Sequence, residues 1–307
     1  MPGTSMLTRD IDVFFRFAKT CEPSSSACAK AVYLVSPEVF SLAAESAQDN
    51  TYMDLQQSVR SDLALAQHMN LVREISKTMP AIAFPGRVET PDAVFPNNVF
   101  ATAKNKIILG HMRHPVRKAE ADRADILGFF GNVLSYELID LRTQAGICEL
   151  TGSLIIDRAR NIAYCGLSER CDEAGAKAMV AAFDLKACLL FELAPGEYHT
   201  NVVLTILASR AVIVAPDGFA DTRVCDAIVE FYAPNAAVLS ALEKNAFAAN
   251  AISLNESTIW MSQKAADTLS SANRSILEQA GFNIHAVDLS EIEKAGGSLR
   301  CCVGEIF

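Results

Sequence analysis

The sequence predicts an α/β protein, and three observations carry that reading. Short apolar strands alternate with amphipathic helices from about residue 30 onward. Hairpin-and-helix units recur at a spacing of roughly 50 residues without sequence identity between them. Half of the 307 residues are hydrophobic, enough to bury a large core without disulfides or metals. Recurring units of this kind suggest a closed radial arrangement rather than a doubly wound open sheet.

Residues 1–27 read as an N-terminal extension ahead of a single domain over 28–307. The extension ends in the small polar run Cys21–Ser26, which reads as a linker or mobile loop. Ala31–Val35 is a predicted strand. Apolar residues at helical spacing from Leu55 to Ile75 predict a helix over Asp54–Thr78. Asn98–Ala103 and Lys106–His111 read as a strand pair turning at Lys104-Asn105. Pro115, at a first-turn position, starts a helix to about Phe130. A hairpin follows over Ser153–Asp157 and Ile162–Gly166, then a helix over Asp172–Phe183.

Strands are expected at Ala187–Glu192, Asn201–Leu207 and Ala211–Pro216, with a helix over Asp221–Phe231. Ala251–Leu254 and Thr258–Met261 form a further hairpin around Asn255-Glu256-Ser257. One helix over Gln263–Ala280, a strand at Asn283–Val287 and a last strand at about Arg300–Phe307 complete the pattern.

The formal net charge is -9. An acidic surface repels phosphate backbones, so nucleic acid is not an expected partner. No run approaches the ~20 apolar residues of a membrane span. Met1–Asp10 has an early Arg-Asp pair and no long apolar run, which argues against a signal peptide. The nine cysteines are odd in number and show no CxxC spacing. Free thiols in a reducing compartment fit that pattern, and the expected location is cytoplasmic.

Four segments carry chemistry. At the C-terminus, Gly296-Gly297 feeds into Arg300-Cys301-Cys302, so a thiol stands beside a flexible turn. In a strand, Cys301 and Cys302 point to opposite faces, and at most one can face a given site. Taken singly, a buried core cysteine is the commoner reading. His199 follows the Pro195-Gly196 turn and opens an apolar run, one of only five histidines. Glu149 precedes Thr151-Gly152-Ser153 and a strand. Pro91-Asp92-Ala93-Val94-Phe95 leads into Pro96-Asn97-Asn98, which alone reads as an Asx-rich turn.

In this order the four segments resemble the guanidino-group-modifying (pentein) superfamily of amidinotransferases, arginine deiminases and dimethylarginine dimethylaminohydrolases. Gly166-Leu167-Ser168-Glu169-Arg170 resembles a further family segment. The likeness covers roughly residues 30–307 and is nearest to the citrulline-utilisation hydrolases. Those share Phe95-Pro96-Asn97-Asn98, Thr151-Gly152-Ser153, Tyr198–Val202, and Arg300-Cys301 followed by Glu305-Ile306-Phe307. The resemblance implies a five-bladed α/β propeller of pseudo-fivefold ββαβ units.

It also implies roles. Cys301 is the expected nucleophile and His199 the proton donor and later base. Glu149 holds the substrate's terminal nitrogens or orients His199. Arg117 and Arg170 match positions that hold the substrate carboxylate. Asp92 is a polar substrate contact or a turn cap. Where arginine deiminases and dimethylarginine hydrolases carry Glu-Asp, this chain has Asn97-Asn98. A neutral carboxamide at Asn98 suits a ureido group better than a cation.

The expected reaction is therefore hydrolysis of the terminal C–N bond of a ureido or guanidino amino acid, ureido first, through a covalent cysteine intermediate. No cofactor or metal is expected: a thiolate needs none, and the histidines show no paired ligand spacing. A small-molecule amino acid is the expected partner, with a homodimer as an allowed assembly. The rival readings are an amidinotransferase with an amine acceptor, a non-catalytic propeller that only binds partners, and an enzyme whose guanidine chemistry is lost through Asn97-Asn98.

Overall fold

Tight hairpins need a residue that accepts a left-handed conformation, and asparagine does so at low cost. Asn105 and Asn161 both take φ 59° at hairpin turns. The computed structural model, which describes residues 5–307, builds one hairpin into each of four similar units. In each, the chain leaves the hairpin through helix and returns as a third strand, parallel to the hairpin's second strand.

The units are Phe100–Ala103, Lys106–Leu109 and Glu137–Asp140; Leu154–Asp157, Ile162–Leu167 and Ala187–Glu192; Leu204–Leu207, Ala211–Val214 and Ala236–Val238; and Ile252–Ser253, Thr258–Ser262 and Asn283–Val287. A fifth sheet joins the two ends of the domain. Gly304–Ile306 pairs antiparallel with Ala31–Val35, which pairs parallel with Ala81–Phe84. Side chains tie successive units together. Thr102 Oγ1 donates to Glu305 O at 2.8 Å, Ala159 N to Ser209 Oγ at 3.1 Å, and Ala208 N to Ser253 Oγ at 2.7 Å.

Local sequence sets most helix starts. Asp172, Asp221 and Ser262 accept from a backbone N–H of the first turn that follows them. Ser240 and Glu243 form a reciprocal capping box. Three expected helices differ in extent. The first runs over Ser61–Ser76 only. The segment after Pro115 is broken into short helical pieces ending in a π-turn at Phe129–Val133. The expected helix over Gln263–Ala280 is two, because Ser270 caps a new helix at Ser271–Gln279.

Within the segment read as an extension, residues 1–4 lie outside the described residues. Met6–Thr8 adds a fourth, parallel strand beside Ala187–Leu189. The helix Ile11–Ala18 buries Phe14 and Phe15, with the Phe14 ring 5.4 Å from that of Tyr164. The run expected to be a linker is anchored too: Ser24 N and Ser25 Oγ donate to the carbonyls of Ala159 and Arg158. Among the described residues, no helix is long and apolar enough to cross a membrane.

Candidate active site

Each unit's first strand is preceded by a tight turn, and those turns carry the polar residues of one buried cluster. Asn98 ends the 3-10 turn Pro96–Asn98 before Phe100–Ala103, and Glu149 precedes the helical turn Leu150–Ser153. His199 precedes the 3-10 turn Thr200–Val202, and Cys301 lies in the helical turn Leu299–Cys302 before Gly304–Ile306. Cys301 was expected inside a strand; the Ser298 carbonyl accepts instead from the N–H groups of both Cys301 and Cys302, winding the segment into a helical turn. Cys302 packs in the apolar core with Leu299 and Val303 and, unlike Cys301, lines no part of the small cavity beside Asn98.

Glu149 and His199 are fully buried and paired, with His199 Nε2 2.8 Å from Glu149 Oε2. Arg170 Nη1 donates to the same carboxylate at 3.1 Å, and the Arg113 backbone N–H reaches its other oxygen at 3.2 Å. Burial opposes ionisation of Glu149, yet the Arg170 charge and the His199 hydrogen bond hold its carboxyl well below the usual range. An ionised Glu149 fixes the imidazole tautomer: Nε2 carries the proton and Nδ1 keeps a free lone pair. Nδ1 has no hydrogen-bond partner in the protein. Burial lowers the His199 pKa below its ordinary value, with Glu149 opposing.

Gly152 lets these groups converge. A Cβ there would lie 2.9 Å from Asn98 Oδ1 and from His199 Cε1 and Nε2. Asn98 and Cys301 in turn line one narrow cavity, together with Asp92, Arg117, Arg170 and Tyr198. Its free volume, about 20 Å³, is little more than one water occupies. Five of the predicted residues, Asp92, Asn98, Arg117, Arg170 and Cys301, line the cavity; His199 lies behind that wall, across Gly152 from Asn98, and Glu149 joins through His199 and Arg170. Asn97 does not line it; its side chain bonds Thr151 Oγ1 at 3.4 Å. A wider cleft of about 770 Å³ lies beside Ile11 and Val224 and holds none of the predicted site residues.

The polar ends of the cavity are already engaged. Asp92 Oδ2 accepts from Ser46 Oγ, while Oδ1 has no partner. Burial raises the Asp92 pKa, with Arg117 opposing. Arg117 donates to Phe95 O at 2.9 Å and pairs with Glu120 at 2.7 Å. Arg170 Nε donates to Asp49 Oδ1 at 2.8 Å and its Nη2 to Ser46 O at 3.0 Å. Asp49 also meets His114 Nε2 at 2.9 Å. The segment from Ser46 to Met53 thus covers the cavity, with Asp49 seated on the arginine that the sequence assigns to a substrate carboxylate.

Sequence reasoning missed the partners of the thiol. Cys301 Sγ lies 3.3 Å from Asn250 Nδ2 and 3.6 Å from Asn201 Nδ2. Burial pushes the Cys301 thiol up; a backbone hydrogen bond at Ser298, then the Asn250 amide, Arg300 and the Asn201 amide, act the other way. Asn201 belongs to a segment singled out above, without a role. Asn250 precedes Ile252–Ser253, the place in its unit that Asn98 or Cys301 holds in others. That positional equivalence was the available signal.

A fold of mixed helix and small sheets, with a thiol lining a small cavity and a buried carboxylate–imidazole pair behind its Asn98 wall, is in keeping with the guanidino-group-modifying superfamily, and the match to a family model shows that class. The family model for eukaryotic N,N dimethylarginine dimethylhydrolase matches residues 36–307, and the chain belongs to that family. It is a hydrolase of C–N bonds other than peptide bonds.

Among its relatives, the N(G),N(G)-dimethylarginine dimethylaminohydrolase of Mycobacterium tuberculosis is 25% identical over 275 residues, covering 89% of this chain and 85% of that protein. The uncharacterized protein YkgA of Bacillus subtilis is 26% identical over 242 residues, 77% of each chain. The fold is shared with the N-terminal domain of ArgZ, an arginine dihydrolase of cyanobacteria, at 19% identity and TM-score 0.76 over 90% of this chain and 97% of that one. It is shared too with a dimethylarginine dimethylaminohydrolase carrying an S-methyl-L-thiocitrulline adduct, at 18% identity and TM-score 0.69 over 90% and 99% of the two chains.

Proposed function

We propose that this protein hydrolyses the terminal C–N bond of a ureido or guanidino amino acid through a covalent intermediate on Cys301. The observation that carries this reading is a thiol on a cavity lined by Asn98, Asp92 and two arginines, with the His199–Glu149 pair packed behind it, across Gly152 from Asn98. The five sheets are read as five radial blades, with the cavity at one end of their axis.

The thiol and imidazole both start neutral. As Sγ bonds to the substrate's terminal carbon, the thiol proton passes to His199 Nδ1, and Glu149 stabilises the resulting imidazolium. The C–N bond breaks as that proton moves to the leaving nitrogen. Water then adds to the carbon, giving a proton to Nδ1; the C–S bond breaks with its electron pair on Sγ, and that proton passes from Nδ1 to the sulfur, restoring the thiol and the neutral imidazole. Arg117 and Arg170 receive the α-carboxylate, and Asp92 Oδ1 the α-ammonium. Because the cavity is so small, substrate enters only when the Ser46–Met53 segment yields.

A neutral ureido group fits the reactive end best. Asn98 Oδ1 is buried with no partner, an acceptor ready for a terminal NH₂. Glu149 is already balanced by Arg170, and the cavity's unpartnered carboxylate oxygen, Asp92 Oδ1, is assigned to the α-ammonium, which leaves none for a guanidinium. The family itself favours the second reading, a guanidino substrate. Release of ammonia and ornithine from citrulline, arginine and methylarginines, with Cys301→Ser as control, tests both. A loss of at least ~10³-fold in the variant is expected; near-normal turnover would end the proposal.

A further inference from the structure

A sulfur that must carry negative charge needs donors aimed at it, and Cys301 is buried among few; the backbone of its own turn supplies one at Ser298. Arg300, its neighbour in sequence, turns away: Nη1 donates to Val303 O at 2.9 Å and Nη2 to Glu305 at 3.0 Å. His199 rests neutral, with its one N–H on Glu149. Among the described residues, the side chains within hydrogen-bonding reach of Sγ are the carboxamides of Asn250 and Asn201. Both are fully buried.

Asn201 turns its carboxamide edge to the sulfur, with Nδ2 at 3.6 Å as donor and Oδ1 at 3.8 Å as acceptor for the neutral thiol; the orientation of Asn250 follows from its other bonds. Asn250 Nδ2 also donates to Asn201 O at 2.9 Å, so the nitrogen must face that carbonyl. Asn250 Oδ1 then accepts from the Cys301 backbone N–H at 3.4 Å. The Asn250 carbonyl accepts from Arg300 N at 3.2 Å. Asn250 thus grips the nucleophile's turn at two points and still aims its second N–H at the sulfur. Four units supply Asn98, Glu149, His199 and Cys301 from the turns ahead of their first strands; Asn250 is the contribution of the remaining one.

Resting on the reading of Cys301 as nucleophile, we infer that Asn250 and Asn201 form a two-amide cradle for the charge on Cys301 Sγ. Hydrogen bonds to the charged form favour it. The cradle acts twice. It stabilises the sulfur as its proton leaves for His199 Nδ1 and the S–C bond forms. It receives the electron pair again when the C–S bond of the hydrated intermediate breaks. In the intermediate itself the sulfur is uncharged and the amides gain little from it, so the cradle favours breakdown over trapping.

The test is alkylation of Cys301 by iodoacetamide as a function of pH, resolved by peptide mass spectrometry, in the full chain and in Asn250→Ala, Asn250→Asp and Asn201→Ala. The cradle predicts that the pH midpoint rises by about one pH unit in Asn250→Ala. It rises further in Asn250→Asp, which keeps the size and sets a carboxylate against the sulfur, and less in Asn201→Ala, whose contact is longer. Should Asn250→Ala fail to fold, the nearly isosteric Asn250→Asp decides. A merely structural role would change alkylation equally at all pH values; an unmoved midpoint in Asn250→Asp overturns the cradle. Activity in Cys301→Ser separates the two ideas, since its survival would remove the nucleophile reading whatever the midpoints show.

Discussion

His199 Nε2 lies 2.8 Å from Glu149 Oε2, and neither side chain is exposed to solvent. The carboxylate, held ionised beside Arg170, leaves Nδ1 as the only basic nitrogen of the ring. That single contact sets which proton can move.

Glu149→Gln keeps the shape and removes the charge. The amide no longer fixes the tautomer or stabilises an imidazolium, so kcat should fall by roughly 10²–10⁴ with a smaller change in KM. Steady-state kinetics on the best ureido substrate checks this, and an equal loss confined to KM would argue against the pairing.

The pH profile has a defined sign. His199 must be neutral in the free enzyme to accept the thiol proton, and burial lowers its pKa. The acid limb of kcat/KM should therefore sit below the ordinary imidazole value of about 6.5. A limb at or above neutrality would show that another group, or a charged imidazole, governs the reaction.

Asp49 competes for Arg170. Its Oδ1 takes two of the guanidinium nitrogens that a substrate carboxylate would use. Asp49→Asn should lower KM several-fold for substrates bearing an α-carboxylate and leave it unchanged for decarboxylated analogues. An identical shift for both would mean that the segment only gates entry.

Asn98→Asp places a carboxylate where Oδ1 now waits without a partner. The ratio of kcat/KM for arginine over citrulline should rise at least ~10-fold. A falling ratio would contradict the charge argument for the reactive end.

Cys302→Ser separates the adjacent thiols. Cys302 is fully buried in the apolar core, where a hydroxyl is costly to desolvate. Thermal or urea unfolding should show a loss of about 1–3 kcal/mol, with kcat within about 2-fold of the parent, in contrast to Cys301→Ser.

Much of this was legible in the chain, because hairpins and caps are local. The turns at Lys104-Asn105 and Arg158–Asn161, the strands Ala187–Glu192 and Asn283–Val287, and the capped helix after Asp172 stand where the patterns place them. The turn at Cys301 was misread, because Arg300–Phe307 looks apolar enough for a strand while Ser298 winds its first residues into a helix. Ser270 likewise ends one helix and caps another inside a continuous periodic pattern.

Asn250 and Asp49 were invisible for a different reason. Each acts on residues far along the chain, Asn250 on Cys301 and Asp49 on Arg170. An asparagine before a strand or an aspartate in a loop is unremarkable until the partner is placed. Arg170 was visible as a motif residue, but its engagement by Glu149, Asp49 and Ser46 comes from packing of three separate segments.

The most direct test of the whole account is to catch the sulfur–carbon bond. S-methyl-L-thiocitrulline, the compound found as an adduct in one structural neighbour, is incubated with the protein, quenched in acid and mapped by peptide mass spectrometry. The account predicts one added group, on the peptide bearing Cys301 and on Cys301 itself, absent in Cys301→Ser. Turnover of that compound with no modified Cys301 at any quench time, or with the same rate in Cys301→Ser, would contradict it.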